Sequence, residues 1–271
     1  MIVELFGPSG AGKTTLSHAL ASVLQDYGYP VTLAASARPS ERFGTDRPDS
    51  PLMRCRACLS RAAKMPGAVA ALLQGSQETP FEAELTSMLM SESLLTRARN
   101  RRYLFSLRKA WVDASSSECI TIFDQGYLSA LCAVVCRNPA LRRAMPNALD
   151  HLPKPDVLVC VYAPESIIEA RLRARLRRLG AIERMLELDI PTTLRQVAIA
   201  TQLTHELARR RDIALIYCSG SRVPVRVAQM IVDQIEGLPS AYHLLPKRRE
   251  YHDEPEFDQR VFHSLLFVID Q

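Results

Sequence analysis

One short run near the start of the chain restricts its fold more than any other: Gly7-Pro8-Ser9-Gly10-Ala11-Gly12-Lys13-Thr14. It fits the pattern G-x-x-x-x-G-K-[ST]. It also stands where that pattern has to stand, between a short apolar run over residues 2–6 and a helical pattern. The glycines let the backbone curl so that several N–H groups turn inward toward phosphate oxygens. The start of the helix adds its own unpaired donors and the positive end of its dipole. In such a loop Lys13 bridges the β- and γ-phosphates and the Thr14 hydroxyl ligates Mg²⁺. The turn from Gly7 through Thr14, with Thr15 behind it, is therefore expected to hold ATP. Leu16, Leu20, Val23, Leu24 and Tyr27 fall on one helical face, which predicts a buried crossover helix. A chance glycine-rich turn would account for the loop, but not for the strand, lysine and amphipathic helix around it.

The rest of the chain alternates in the same manner. Apolar runs at 30–35, 118–124, 157–162 and 213–218 read as four further strands. Helical patterns fill most of the intervals: 52–117, with breaks near Pro66-Gly67 and before Pro80, then 128–136, 165–179, 192–211 and 224–237. Residues 81–111 read as one long helix, 138–150 as a partly helical connector, and the polar segment 36–50 as a loop. Residues 262–269 fit a helix or an added strand. Strand–helix alternation predicts an α/β fold, a five-stranded parallel sheet covered on both faces. Ligands bind such sheets at the carboxyl ends of their strands. The segments to watch are the phosphate loop, residues 36–50, Asp124 and Ser219-Gly220-Ser221.

Bulk properties set outer limits. A chain of 271 residues can bury a sizeable core, and 47% hydrophobic with 23% charged residues is ordinary for a globular protein. A net charge of +5 suits a phosphate-bearing ligand without requiring nucleic acid. No apolar run is long enough to span a bilayer, and the phosphate loop occupies the place of a secretion signal. A cytoplasmic setting is expected, with Cys119, Cys160 and Cys218 as buried thiols. Cys55-x-x-Cys58 has the spacing of a zinc or redox half-site without a clean second pair, and half-buried helix positions explain it more simply. Tyr103, Phe105 and Trp111 beside arginines could stack a ring, or could be core residues at helical spacing.

Asp124 ends its strand in a carboxylate, which can hold Mg²⁺ opposite Thr14 or accept the proton of an attacking hydroxyl. It could equally cap the following helix. Beyond it come Lys154-Pro155-Asp156, a buried strand, Ala163-Pro164-Glu165 and a helix bearing Arg171, Arg175 and Arg178 at i, i+4 and i+7. Taken together, residues 1–237 resemble the thymidylate-kinase-like branch of the P-loop nucleoside and nucleotide kinases. That resemblance implies a three-layer α/β/α P-loop kinase-like fold. Its helical insertion would lie at 52–117, its lid at 165–190 and a C-terminal extension at 238–271.

It further implies an ATP-dependent phosphotransferase using Mg²⁺ and a small-molecule acceptor, a nucleoside or nucleotide among the candidates. Lys13 would act on the transferring phosphoryl, and Thr14 and Asp124 on the metal. Asp124 or Glu41 would be the base, Arg175 or Arg178 would neutralise charge from the lid, and Ser219 would lie in the adenine-contacting loop. The family's Asp-Arg pair after the third strand stands here as Asp124-Gln125, which argues against thymidylate itself. A second copy of the chain is a candidate partner; a membrane or a nucleic acid is not expected. The competing reading is a nucleotide-dependent regulatory switch that acts on a partner through 52–117 or 238–271. No Asn-Lys-x-Asp or Leu-Ser-Gly-Gly-Gln stretch is present, which argues against a GTPase or a transporter ATPase.

Overall fold

Every residue of Ile2–Phe6 is buried. A strand reaches that state only with partners on both edges and cover on both faces. In the computed structural model this strand, β1, is the middle of a five-stranded parallel sheet. The other strands are β2 (Val31–Ala34), β3 (Ile120–Phe123), β4 (Val157–Tyr162) and β5 (Ala214–Ser219), in the order β2-β3-β1-β4-β5. The structure describes residues 1–34, 79–88, 94–178, 190–210, 213–220 and 222–237. It divides into two compact units. One is Met1–Ala34, Ala114–Asp124 and Lys154–Gln271; the other is Ala35–Asp113 and Gln125–Pro153.

The first unit holds the whole sheet. Alternation along the strands sends Val3, Leu5, Ile122, Val157, Val159 and Ile216 to one face. There they meet Leu16, Leu20, Val23 and Leu24 of helix α1 (Lys13–Asp26) and Val227, Ile231 and Ile235 of a closing helix at Pro224–Glu236. Each fully buried Leu or Ile in this layer contributes roughly 1.5–3 kcal/mol. Cys160 faces the other way and is hydrogen-bonded by Thr204 of the helix Ile190–Arg210, which covers the second face. That helix also packs through Ile190, Leu194 and Val197 on Ile168 and Leu172 of the helix Glu165–Arg178. The expected α/β/α layering is therefore present.

Asp156, from the Lys-Pro-Asp motif, anchors β4 beside β1: the Ile2 N–H donates to its Oδ2 at 2.6 Å, and its own N–H donates to the Ile2 carbonyl at 3.0 Å.

The described elements of the second unit are helical. Helix α2 (Pro80–Met88) opens with Thr79-Pro80-Phe81-Glu82. The Glu82 N–H donates to Thr79 Oγ1 at 3.3 Å, and the Thr79 N–H donates to Glu82 Oε2 at 2.9 Å, a reciprocal capping box with proline at the first helical position. Helix α3 (Leu94–Ser115) follows and, within this unit, supplies Arg108, whose Nη1 lies 3.2 Å from Glu82 Oε2. Among the described residues, helix α4 (Tyr127–Arg137), a 3₁₀ turn (Pro139–Arg143) and α5 (Met145–Asp150) also belong to this unit. Tyr127 is buried between the edges of Phe81, centroids 5.4 Å apart, and Trp111, 5.1 Å. In chain order the remaining helices among the described residues are α6 (Glu165–Arg178), α7 (Ile190–Arg210) and α8 (Pro224–Glu236).

The strands fall within two residues of the expected ones. Two side chains differ from expectation. Tyr27 is the C-cap of α1 rather than part of its buried stripe; it is exposed, and its hydroxyl accepts a hydrogen bond from Gln229. Cys119 is half-buried because it precedes β3 instead of lying in it. The expected helix over 81–111 is described as α2 and α3. Residues 89–93, the loop at 36–50, Cys55, Cys58 and the segment 238–271 lie outside the described residues.

Candidate phosphate-binding site

The chain leaves β1 at Gly7, where a Cβ would stand 2.1 Å from the Val161 carbonyl oxygen of β4. Only a residue without a side chain lets the loop start that close to the neighbouring strand. The loop then closes on itself, Ala11 N–H donating to the Pro8 carbonyl at 3.2 Å, and Gly12 caps α1 in the left-handed region at φ 106°. Gly12 has no side chain to cap the helix, and no acidic residue lies in the first turn. The dipole end and leading amides of α1 thus face the loop with no carboxylate in the helix's own first turn, the arrangement that favours an anion.

Lys13 is buried, and its ammonium donates to the carbonyls of Gly7 at 2.7 Å and Pro8 at 3.0 Å. The cation is thereby held over the loop that it is expected to serve. Thr14, one residue on, donates through its hydroxyl to Asp124 Oδ2 at 3.3 Å. Asp124 is buried and directly follows β3, whose last residue, Phe123, stands opposite Glu4 in the parallel register with β1, two residues before β1 ends at Phe6. A hydroxyl and a carboxylate side by side are hard oxygen donors of the kind Mg²⁺ takes, and Mg²⁺ commonly completes its shell with waters and phosphate oxygens. No cluster of three or more His, Cys, Asp or Glu residues suited to a metal occurs among the described residues.

Two further side chains reach the loop. Arg171 of α6 donates through Nη1 to the carbonyls of Gly10 at 3.0 Å and Ala11 at 3.2 Å, and through Nη2 to Gly220 at 2.8 Å. Gln196 of α7 accepts the Ser9 N–H through Oε1 at 3.3 Å. Gly220 itself, in the turn after β5, donates to the Tyr162 carbonyl at 2.7 Å, so the Ser219-Gly220 turn lies against both β4 and the loop.

The two strand thiols of this unit are not reactive groups. Burial pushes Cys160 up to about 12 despite a hydrogen bond with Thr204, with nearby Glu4 adding to the rise, and burial likewise pushes Cys218 up to about 12. A thiol that stays protonated at neutral pH is neither nucleophile nor metal ligand. Burial also raises Tyr217 on β5.

Lys13, Thr14, Asp124 and the Ser219-Gly220 turn all stand around the loop, while Thr15 is exposed on α1. Arg175 is half-buried on α6; the side chain of Arg178 and all of Glu41 lie outside the described residues. From the sequence, Arg171 stands only among three spaced arginines, with no role at the site, and Gln196 is not named. Arg171 carried a usable signal: it is the first of the three spaced arginines and so the nearest to the strand end. Gln196 carried none.

No protein-family model and no curated protein matches the sequence. Among solved structures, the chain is similar to deoxyadenosine kinase from M. mycoides with the products dCMP and a flexible dCDP bound, at TM-score 0.50 and 13% identity, covering 88% of this chain and 100% of that one. The same enzyme with bound dATP gives a TM-score of 0.49 at 12% identity, covering 87% and 100%. At such identity the likeness is one of fold. The five-stranded parallel sheet with its flanking helices is the α/β P-loop fold seen in that deoxyadenosine kinase.

Proposed function

We propose that this protein is an ATP-dependent phosphotransferase whose acceptor is a nucleoside or nucleotide. The observation that carries the proposal is the contact between Thr14 and Asp124 directly behind a loop that also buries Lys13. Phosphoryl transfer asks little covalent chemistry of a protein; it asks for positioning and for charge stabilisation. The backbone amides of the loop and the start of α1 would hold the phosphates. Lys13 would exchange its carbonyl partners for the oxygens of the transferring group. Thr14 and Asp124 would hold Mg²⁺, which when bound neutralises charge on the phosphates. The acceptor hydroxyl would lose its proton to Asp124 or to Glu41.

Residues 165–190 are proposed as the lid, with Arg175 or Arg178 reaching the phosphates on closure and excluding water. Residues 1–237 would form the kinase domain and 238–271 its extension. The nucleoside class is taken by analogy of fold with the deoxyadenosine kinase. Gln125, standing where thymidylate kinases carry arginine, favours an acceptor other than thymidylate.

The test is incubation of the full chain with labelled ATP, Mg²⁺ and a panel of nucleosides, nucleotides and sugars. Label should pass to a nucleoside or nucleotide. Lys13→Ala should lower that transfer by at least about 10²–10³-fold while leaving the circular dichroism spectrum unchanged. A fully active Lys13→Ala protein would overturn the proposal. Slow hydrolysis with no transfer to any acceptor would favour the regulatory switch instead.

A further inference from the structure

We infer that Arg171 is a positioning residue that sets the donor geometry of the phosphate loop from behind; the inference rests on the loop being a triphosphate cradle. In a planar trans peptide the carbonyl and the N–H point in opposite directions. Holding a carbonyl outward therefore aims the N–H of the next residue inward. Arg171 holds two consecutive carbonyls of the loop, those of Gly10 and Ala11. The N–H paired with the first belongs to Ala11 and closes the turn onto Pro8. The N–H paired with the second belongs to Gly12, the cap of α1. Arg171 thus fixes the turn through one peptide and aims the Gly12 amide through the other. A cation on the carbonyl side also polarises each peptide and strengthens its N–H as a donor.

The same guanidinium ties the loop to the turn after β5 through the Gly220 carbonyl. Three carbonyls from two segments converge on one planar fork, a task that suits arginine and exceeds the geometry of a lysine ammonium. The fork starts from a fixed base, because Ile168 and Leu172 on either side of Arg171 are buried in the α6–α7 contact. Arg173, two residues on, has a different role: it is exposed and pairs with Glu169 one helical turn back.

Calorimetry with Mg²⁺ tests this, using inorganic tripolyphosphate and a non-hydrolysable ATP analogue as separate ligands. Arg171→Met should weaken both by the same factor, about ten- to a hundredfold, because the lost element is loop geometry that both ligands use. Arg171→Lys should recover part of the loss, and Arg173→Met should bind as the wild type does. If Arg171→Met does not fold, Arg171→Lys carries the test, with an equal loss for both ligands expected. Unchanged tripolyphosphate binding in the Arg171 variants refutes the inference, as does a loss confined to the ATP analogue, which would mean contact with the nucleoside. Wild-type protein that takes up neither ligand would refute the cradle reading itself and this role with it.

Discussion

Gly220→Ala is the most demanding perturbation of this site. The added Cβ would stand 1.7 Å from the Ala11 carbonyl oxygen, 2.9 Å from its carbonyl carbon and 3.2 Å from Val161 Cγ1. The φ of Gly220 lies outside the left-handed region, so the obstacle is contact and not backbone strain. The nearest atoms are backbone atoms of the phosphate loop, which cannot rotate aside as a side chain would. To restore even 3.0 Å, a separation real Cβ atoms seldom go below, the two segments must part by about 1.3 Å. Overpacking of this kind costs about 1–3 kcal/mol, which for a chain of this size lowers Tm by roughly 2–12 °C.

The functional loss should be larger than the stability loss. The displaced carbonyl belongs to the peptide that carries the Gly12 N–H, and a shift of about 1 Å in a binding element can cost about 10²-fold. Gly237→Ala is the matched control: its Cβ would meet nothing nearer than the Gln234 carbonyl oxygen at 3.5 Å, and φ there is −74°. Thermal melts and calorimetry with an ATP analogue compare the two variants. If Gly220→Ala matches Gly237→Ala in both Tm and affinity, the fit of the β5 turn against the loop has been misjudged.

Two further predictions concern parts of the chain away from the phosphates. Glu82→Ala removes both the reciprocal cap of α2 and the partner of Arg108, so it should destabilise the helical unit by about 1–3 kcal/mol; Glu82→Gln, which keeps an acceptor for Thr79, should lose less. Urea unfolding of the two variants separates these outcomes, and equal stability would refute the capping role. Cys160 and Cys218 rise from 9.0 to about 12 in the folded chain, so between those values the unfolded chain gives up protons that the folded chain keeps. Their contribution is intact below pH 9 and declines as pH rises toward 12, by up to about 1.4 kcal/mol per unit for each thiol. The double variant Cys160→Ala, Cys218→Ala should show a shallower fall in stability between pH 8 and 10.5, and an unchanged slope would refute the assignment.

The sequence alone determined the start of the fold. Residues 2–27 carry a strand, a loop and a helix whose identities are local: an apolar run, glycines where the backbone must turn, and a lysine before an amphipathic stripe. The same local rule located β3 and β4, because buried strands of a parallel sheet are continuous apolar runs, and it reached the half-buried edge strand β5, whose run is also mostly apolar. It also marked Asp124, the one carboxylate at the end of β3. The Thr79–Glu82 cap was equally local and could have been read from Thr-Pro-Phe-Glu.

Tertiary structure decided which groups meet. That Thr14 lies 3.3 Å from Asp124 follows from parallel pairing of β1 with β3, a register between residues more than a hundred positions apart. The Tyr27 position was decided by where α1 ends against α8, and its helical spacing carries no record of that. Among Arg171, Arg175 and Arg178, spacing gives three equivalent positions on one helix. Only the packing of Ile168 and Leu172 fixes the rotation of α6 that lays the Arg171 fork on the carbonyls of Gly10, Ala11 and Gly220. A periodicity names a face; the contact that face makes depends on segments distant in sequence.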